Sequence, residues 1–266
     1  MSLKDHIGYW LYTSLAMIAL PALSWADIAQ RIVCLSPSAT EILFAIGAGE
    51  QVVAVDRWSN YPPEAPMTQL SSYQPNLEAI ATYQPDLVII AFDPGGIGPG
   101  LQAIGIAVIH HNAARSLADM HRQIAELGAV SGHHAAAMRV SEQIKTGLAE
   151  AVARIPITAY PLRIYHEVDA TYYSISSASF LGQVYRQLGF FNIADAGDKH
   201  GYGYPKLSVE YILQANPQLI VITDQAGYDR ADVAGRPGWQ FLDASQQGRI
   251  IQVDADIASR WGPRIV

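Results

Sequence analysis

The feature that most limits how this chain can fold is a repeat. Leu77-Glu78-Ala79-Ile80 is followed by Pro85-Asp86-Leu87-Val88-Ile89-Ile90, and Val209-Glu210-Tyr211-Ile212 by Pro217-Gln218-Leu219-Ile220-Val221-Ile222. In both copies the glutamate stands seven residues before the proline, and the copies are 132 residues apart. Each reads as a short helix, a proline turn and a strand buried on both faces, because four apolar residues in a row leave no polar side for water. Two such units predict two halves built alike, with a glutamate at the matching place on each.

The rest of the sequence supports an α/β fold with parallel sheets, since short apolar runs alternate with helical stretches. Strands are predicted at Arg31–Leu35, Val52–Val55, Leu87–Phe92 and Ala107–His110, then at Leu162–Val168, Leu219–Thr223 and Ile250–Val253. Helices are predicted at Thr40–Ile46, closed by Gly47, at Ser116–Ala129 and at Phe180–Leu188. The stretch His133–Ile155 holds no proline and makes a helix of about 34 Å, long enough to cross between two halves. Pro156 and Pro161 end it. The expected divisions are an N-terminal lobe over 27–130, an interlobe helix over 131–157 and a C-terminal lobe over 158–266.

Residues 1–26 stand apart from this pattern. Lys4 and His6 precede an apolar run from Ile7 to Leu23, and Ser24-Trp25-Ala26 offers small residues where a signal peptidase reads. A cleaved signal peptide and export to the periplasm are expected. Cys34, the single cysteine, precludes an internal disulfide and reads as a small buried hydrophobe. With Asp27 and not a cysteine directly after the cleavage site, lipid anchoring is not expected.

With 24 acidic and 17 basic residues the formal net charge is −7, and no stretch is rich in lysine and arginine. Nucleic acid and anionic lipid are therefore disfavoured as main partners. An enzyme is the alternative from another class, but its motifs are missing. Phe92-Asp93-Pro94-Gly95-Gly96-Ile97-Gly98-Pro99-Gly100 lacks the ending of a nucleotide loop, and its prolines remove backbone donors. It reads as a flexible loop at a cleft edge. No Gly-x-Ser-x-Gly elbow or His-Glu-x-x-His occurs. Asp86, Asp93, Glu167 and Asp224 could serve as a catalytic pair only if the fold brought two of them together. A plain adhesion or scaffold module would leave the aromatic residues described below without a ligand.

Four stretches together carry a resemblance. They are Arg31-Ile-Val-Cys-Leu-Ser-Pro-Ser-Ala-Thr-Glu41, Tyr61-Pro62-Pro63, the repeat, and Arg260-Trp-Gly-Pro-Arg264. In that order they resemble the solute-binding proteins of ABC importers for cobalamin, haem and iron-siderophores, over nearly all of residues 30 to 266. The resemblance implies two Rossmann-like lobes joined by a single long helix, the helical-backbone periplasmic binding protein fold. A ligand would sit between the lobes. The likeness is strongest to the cobalamin-binding members, with haem or a ferric siderophore as alternative ligands. The implied partners are an importer permease and its ATPase, met by a monomer that carries no intrinsic cofactor. Family members continue into a further helix, so the sequence as given is expected to leave part of the second lobe uncovered.

The candidate site follows the ends of the predicted strands. Trp58 and Tyr61 come after Val52–Val55, Tyr73 precedes the first repeat, Phe92 closes Leu87–Phe92, Tyr202 and Tyr204 precede the second repeat, and Arg260 and Trp261 follow the last strand. A flat aromatic floor suits a corrin or porphyrin, and an arginine suits a propionate, phosphate or amide oxygen. The resemblance places ligand contacts at Tyr73, Phe92, Tyr204 and Arg260; cobalamin-binding members carry tryptophan at the first three positions. It also implies that Glu78 and Glu210 dock on arginines of the permease. Independently, two carboxylates on separate rigid lobes can meet two cationic pockets only at one lobe separation. Tyr73 and His166 are weak candidates for a metal ligand. The adjacent pairs His110-His111 and His133-His134 face different ways and make poor chelates.

Overall fold

The computed structural model describes residues 28–93, 95–155 and 161–266. The expected signal peptide, Pro94 and the stretch 156–160 lie outside them.

The strands form two parallel four-stranded sheets. In the first, β1 (Ile32–Leu35), β2 (Val52–Val55), β3 (Leu87–Ile90) and β4 (Ala107–His110) lie in the order β2-β1-β3-β4. In the second, β5 (Arg163–His166), β6 (Phe191–Asn192), β7 (Leu219–Thr223) and β8 (Ile250–Val253) lie in the order β6-β5-β7-β8. The two orders are the same when each sheet is counted from its own start. Helices α1 (Pro37–Ala45), α2 (Leu77–Ala81), α3 (Ile97–Ala103) and α4 (Leu117–Val130) accompany the first sheet. After α5 (His134–Arg154) come α6 (Phe180–Gln187), α7 (Val209–Ala215), α8 (Arg230–Ala234), α9 (Asp243–Gln246) and α10 (Ala255–Ser259). β1 and β3 are buried at every position, as strands covered on both faces must be.

The repeat extends further in three dimensions than its apolar pattern shows. Asn76 and Ser208 are N-caps of α2 and α7, each accepting from the backbone N–H three residues on. Past each helix, Gln84 and Asn216 take positive φ, and their prolines follow at once. The Arg31 guanidinium then donates to the carbonyls of Tyr83 and Gln84, and the Arg163 Nε–H to those of Ala215 and Asn216. Asp86 accepts from the Arg31 N–H and Gln218 from the Arg163 N–H. An arginine at the start of a strand thus satisfies the carbonyl end of the following repeat helix, in both halves at one spacing.

α5 spans 21 residues, about 32 Å at 1.5 Å each. It buries Ala137, Val140, Ile144 and Leu148, one face at helical spacing. It packs close on α4 because Gly128 carries no side chain; a Cβ there would lie 2.4 Å from that of Ala137. Gly47, with φ +87°, ends α1 in the left-handed geometry that glycine adopts without a steric cost. Two boundaries differ from expectation. α1 starts at Pro37 rather than Thr40, because Ser36 caps Ala39 and proline is suited to the first helical position. Residues 97–100, expected within a flexible loop, instead open helix α3. Asp93 accepts from the N–H groups of Ile97 and Gly98, and Pro99 sits in the first turn, where a missing N–H costs nothing.

After β8 the chain returns to the first lobe. Trp261 and Ile265 pack against the core built by β1, α1, α4 and α5, so the expected second lobe, 158–266, gives its last residues to the first. Among the described residues, no helix is long and apolar enough to cross a membrane.

Candidate functional site

In open α/β sheets, ligands bind beyond the carboxyl ends of the strands, and here the segments at those ends in both sheets line one cleft. A cavity of about 800 Å³ is walled by Ser36, Trp58, Tyr73, Phe92, Asn112 and Trp261, among others, and by Gln225 and Asp256 from the second half. A smaller cavity of about 340 Å³ is lined by His166, Val168, Leu181 and Tyr204, and it shares Gln225, Asp256 and Ser259 with the first. The two cavities form a single groove with one wall from each lobe.

The first-lobe wall is aromatic. Tyr73 meets Trp58 edge-on at 6.1 Å and Phe92 at 5.2 Å between ring centroids. Such edge-to-face packing fixes the rings while leaving their outer faces free. Tyr73 is 62% exposed and Trp58 49%. Across the groove Tyr204 is 59% exposed. Large apolar faces left open in a concavity mark a binding surface. Tyr202 stacks on His200 at 5.5 Å and lines neither cavity.

Two expected contacts take other roles. Arg260 borders the cavity, but its guanidinium is already engaged. Nη1 donates to Glu41 at 2.8 Å, while Nη2 donates to the carbonyl of Trp58 and to Asn60, and lies 3.0 Å from Asp256. Arg264 adds two bonds to Glu41, at 2.8 and 2.6 Å. Charges cancel within this cluster, so Arg260 is a strut that holds the Trp58 loop rather than a clamp for an anion. Tyr61 faces away from the groove. Its ring carries the Arg264 guanidinium at 4.1 Å and lines a separate hollow with Phe44 and Pro263. A cation paired with Glu41 holds it there.

His166 and His111 are buried and held in place. His166 shares a hydrogen bond between Nδ1 and the Tyr185 hydroxyl at 2.8 Å. Burial lowers its pKa to about 4. His111 is fully buried, bonded to Ser36 and stacked on Trp261 at 5.9 Å, and burial likewise lowers its pKa to about 4. His133 bonds the carbonyl of Ser131. No group of three metal-ligating side chains occurs among the described residues. The four carboxylates weighed as catalytic are each committed elsewhere. Asp86 and Asp93 accept from backbone N–H groups as described, and Asp224 accepts from Ala255. Glu167 is fully buried in a bidentate pair with Arg236 at 2.7 and 2.8 Å.

Arg57 was not singled out from the sequence. It lines the cavity, is exposed, and lies over the Trp58 ring at 5.5 Å. The available signal was its place between the buried strand β2 and Trp58. Gln225 and Asp256, shared by both cavities, were also missed. Away from the groove floor, Glu78 and Glu210 occupy the second position of α2 and α7. Both are exposed, and no hydrogen bond or ion pair engages either carboxylate among the described residues.

Two like lobes that share one aromatic groove define a solute-binding protein. The chain belongs to the periplasmic binding protein family, whose profile matches residues 32–257. It is similar to the vitamin B12-binding protein of Pectobacterium atrosepticum, 30% identical over 251 residues that cover 90% of this chain and 85% of that protein. The periplasmic vitamin B12 binding protein of Vibrio cholerae has a like structure, with a TM-score of 0.70 and 25% identity over 90% of this chain and 93% of that one. So does the periplasmic haem-binding protein of Roseiflexus sp. RS-1, with a TM-score of 0.71 and 26% identity over 89% and 94%. This chain is a binding protein and not an enzyme.

Proposed function

We propose that the chain is exported, as the 1–26 segment suggests, and captures a corrinoid of the cobalamin class in the groove for delivery to an ABC importer. The observation that carries this reading is the aromatic wall of Trp58, Tyr73 and Phe92 facing Tyr204 across a groove that two lobes share. A large, rigid, mostly apolar ring system would cover those faces together, each aromatic contributing about 1.5–3 kcal/mol on burial. Haem is the second reading, favoured by Tyr204 and His166, two side chains of iron-ligating type that both line the opposite wall. Titration of the purified protein with cyanocobalamin, haemin and a ferric catecholate, followed by tryptophan quenching, tests both. Saturable one-to-one quenching by cyanocobalamin at low micromolar concentration or below is expected. Quenching by haemin alone would replace the first reading with the second.

Glu78 and Glu210 are proposed to dock on the importer permease. Their support is equivalence: the same helix position, the same exposure and the same lack of partners on two lobes. In each half the arginine at a strand start holds the C-terminal end of the repeat helix, which supports a glutamate end turned toward the side where the groove opens.

A further inference from the structure

We infer that Arg57 makes an anion subsite in the groove, so that the ligand must carry a phosphate or carboxylate arm directed at it; this rests on the tetrapyrrole reading above. Three charged side chains line the larger cavity, namely Arg57, Asp256 and Arg260. Arg260 and Asp256 cancel within the cluster that includes Glu41 and Arg264. Asp256 is satisfied twice over, since its second oxygen accepts from Asn60 at 3.0 Å. The smaller cavity adds only Asp256 again and His166, which burial keeps neutral. Arg57 is therefore the one charge in the groove without a counter-charge among the described residues.

Its placement suits the role. The guanidinium lies over the Trp58 ring, which orients its N–H fork without consuming a donor. On the same cavity wall, Ser36 and Ser38 bring in the N-terminus of α1, whose first turn has no acidic residue. The positive end of that helix is thus uncompensated by its own sequence. Two independent sources of positive potential face a groove whose remaining charges are paired, and inside a concavity of low dielectric they select for an anion.

The test compares pairs of probes that differ in their anionic groups. Cyanocobalamin against dicyanocobinamide reads a phosphodiester, and haemin against its dimethyl ester reads carboxylates. For Arg57→Gln, the anionic member of at least one pair should bind about tenfold to a hundredfold more weakly, the worth of a charge-assisted hydrogen bond. Its partner probe should change less than about twofold, and Arg57→Lys should keep most of the preference. Equal changes within both pairs, or none, would overturn the subsite while leaving the groove as the binding site. If no probe bound the wild-type protein, the tetrapyrrole reading and the subsite would fall together.

Discussion

Arg260 reaches back across 219 residues of sequence to Glu41, donating at 2.8 Å with both side chains buried. The bond fastens the segment after β8 to the second turn of α1, and Arg264 closes on the same carboxylate. Burying a charge without its partner is costly. Glu41→Gln leaves Arg264 with a neutral acceptor and Arg260 with Asp256 as its one counter-charge, and should lower unfolding stability by about 3 kcal/mol. Arg260→Leu, which strands Glu41 less completely because Arg264 remains, should cost less. Urea denaturation of the two variants checks the order; equal midpoints to wild type would contradict the strut.

Ligand affinity should track the groove and not the neighbouring hollow. Tyr73→Ala removes the ring that contacts both Trp58 and Phe92 and should weaken binding about tenfold or more, from the loss of one aromatic contact. Tyr204→Ala on the facing wall should do the same. Tyr61→Ala, outside the groove, should change affinity less than about twofold while loosening the Arg264 contact. Quenching titrations read all three, and a Tyr61 effect as large as that of Tyr73 would place the site elsewhere.

Removing the lobe carboxylates should separate capture from delivery. Glu78→Ala and Glu210→Ala lie on exposed helix starts, without side-chain partners among the described residues, so stability should stay within about 0.5 kcal/mol of wild type and affinity should not move. Uptake by cells that depend on the importer should fall for each and further for the pair. Ligand affinity lost in step with uptake would remove the docking role.

His111 and His166 make the fold sensitive to acid. Burial holds both near 4, below the value of about 6.5 in an unfolded chain. The unfolded chain therefore takes up protons first as pH falls. Full stability belongs to the range above about pH 6.5, and each histidine should remove about 2 kcal/mol by pH 5. Denaturation midpoints at pH 7, 6 and 5 would show the decline, and His111→Gln with His166→Gln should flatten it. A flat wild-type profile over that range would contradict the burial argument.

Much of the architecture could be read from the chain because its signals are local. Runs such as Leu87–Ile90 and Leu219–Thr223 admit only doubly covered strands, and the spacing of Ala137, Val140, Ile144 and Leu148 along one face marks the long helix. What could not be read depended on partners distant in sequence. Arg260 looked available for a ligand because nothing near it in the chain hinted at Glu41. Tyr61 looked like its neighbour Trp58, until Arg264 drew it to the other side. Pro99 and its glycines read as a loop, since the cap that starts α3 comes from Asp93, a residue that also resembled an active-site acid. Arg57 was overlooked for the converse reason: an exposed arginine near a strand end is ordinary until every other charge around it proves to be paired.

The return of the chain after β8 has a consequence for how the molecule is divided. Because Trp261 and Ile265 fill the core that β1, α1 and α5 build, a cut between α5 and β5 would not yield two autonomous folds. The N-terminal fragment would present a hydrophobic slot and an unneutralised Glu41, and the C-terminal fragment would carry the peptide that fits both. Expressed together, the fragments should assemble into one particle, held by that returning segment and by Phe180 and Val184 of α6, which enter the same core.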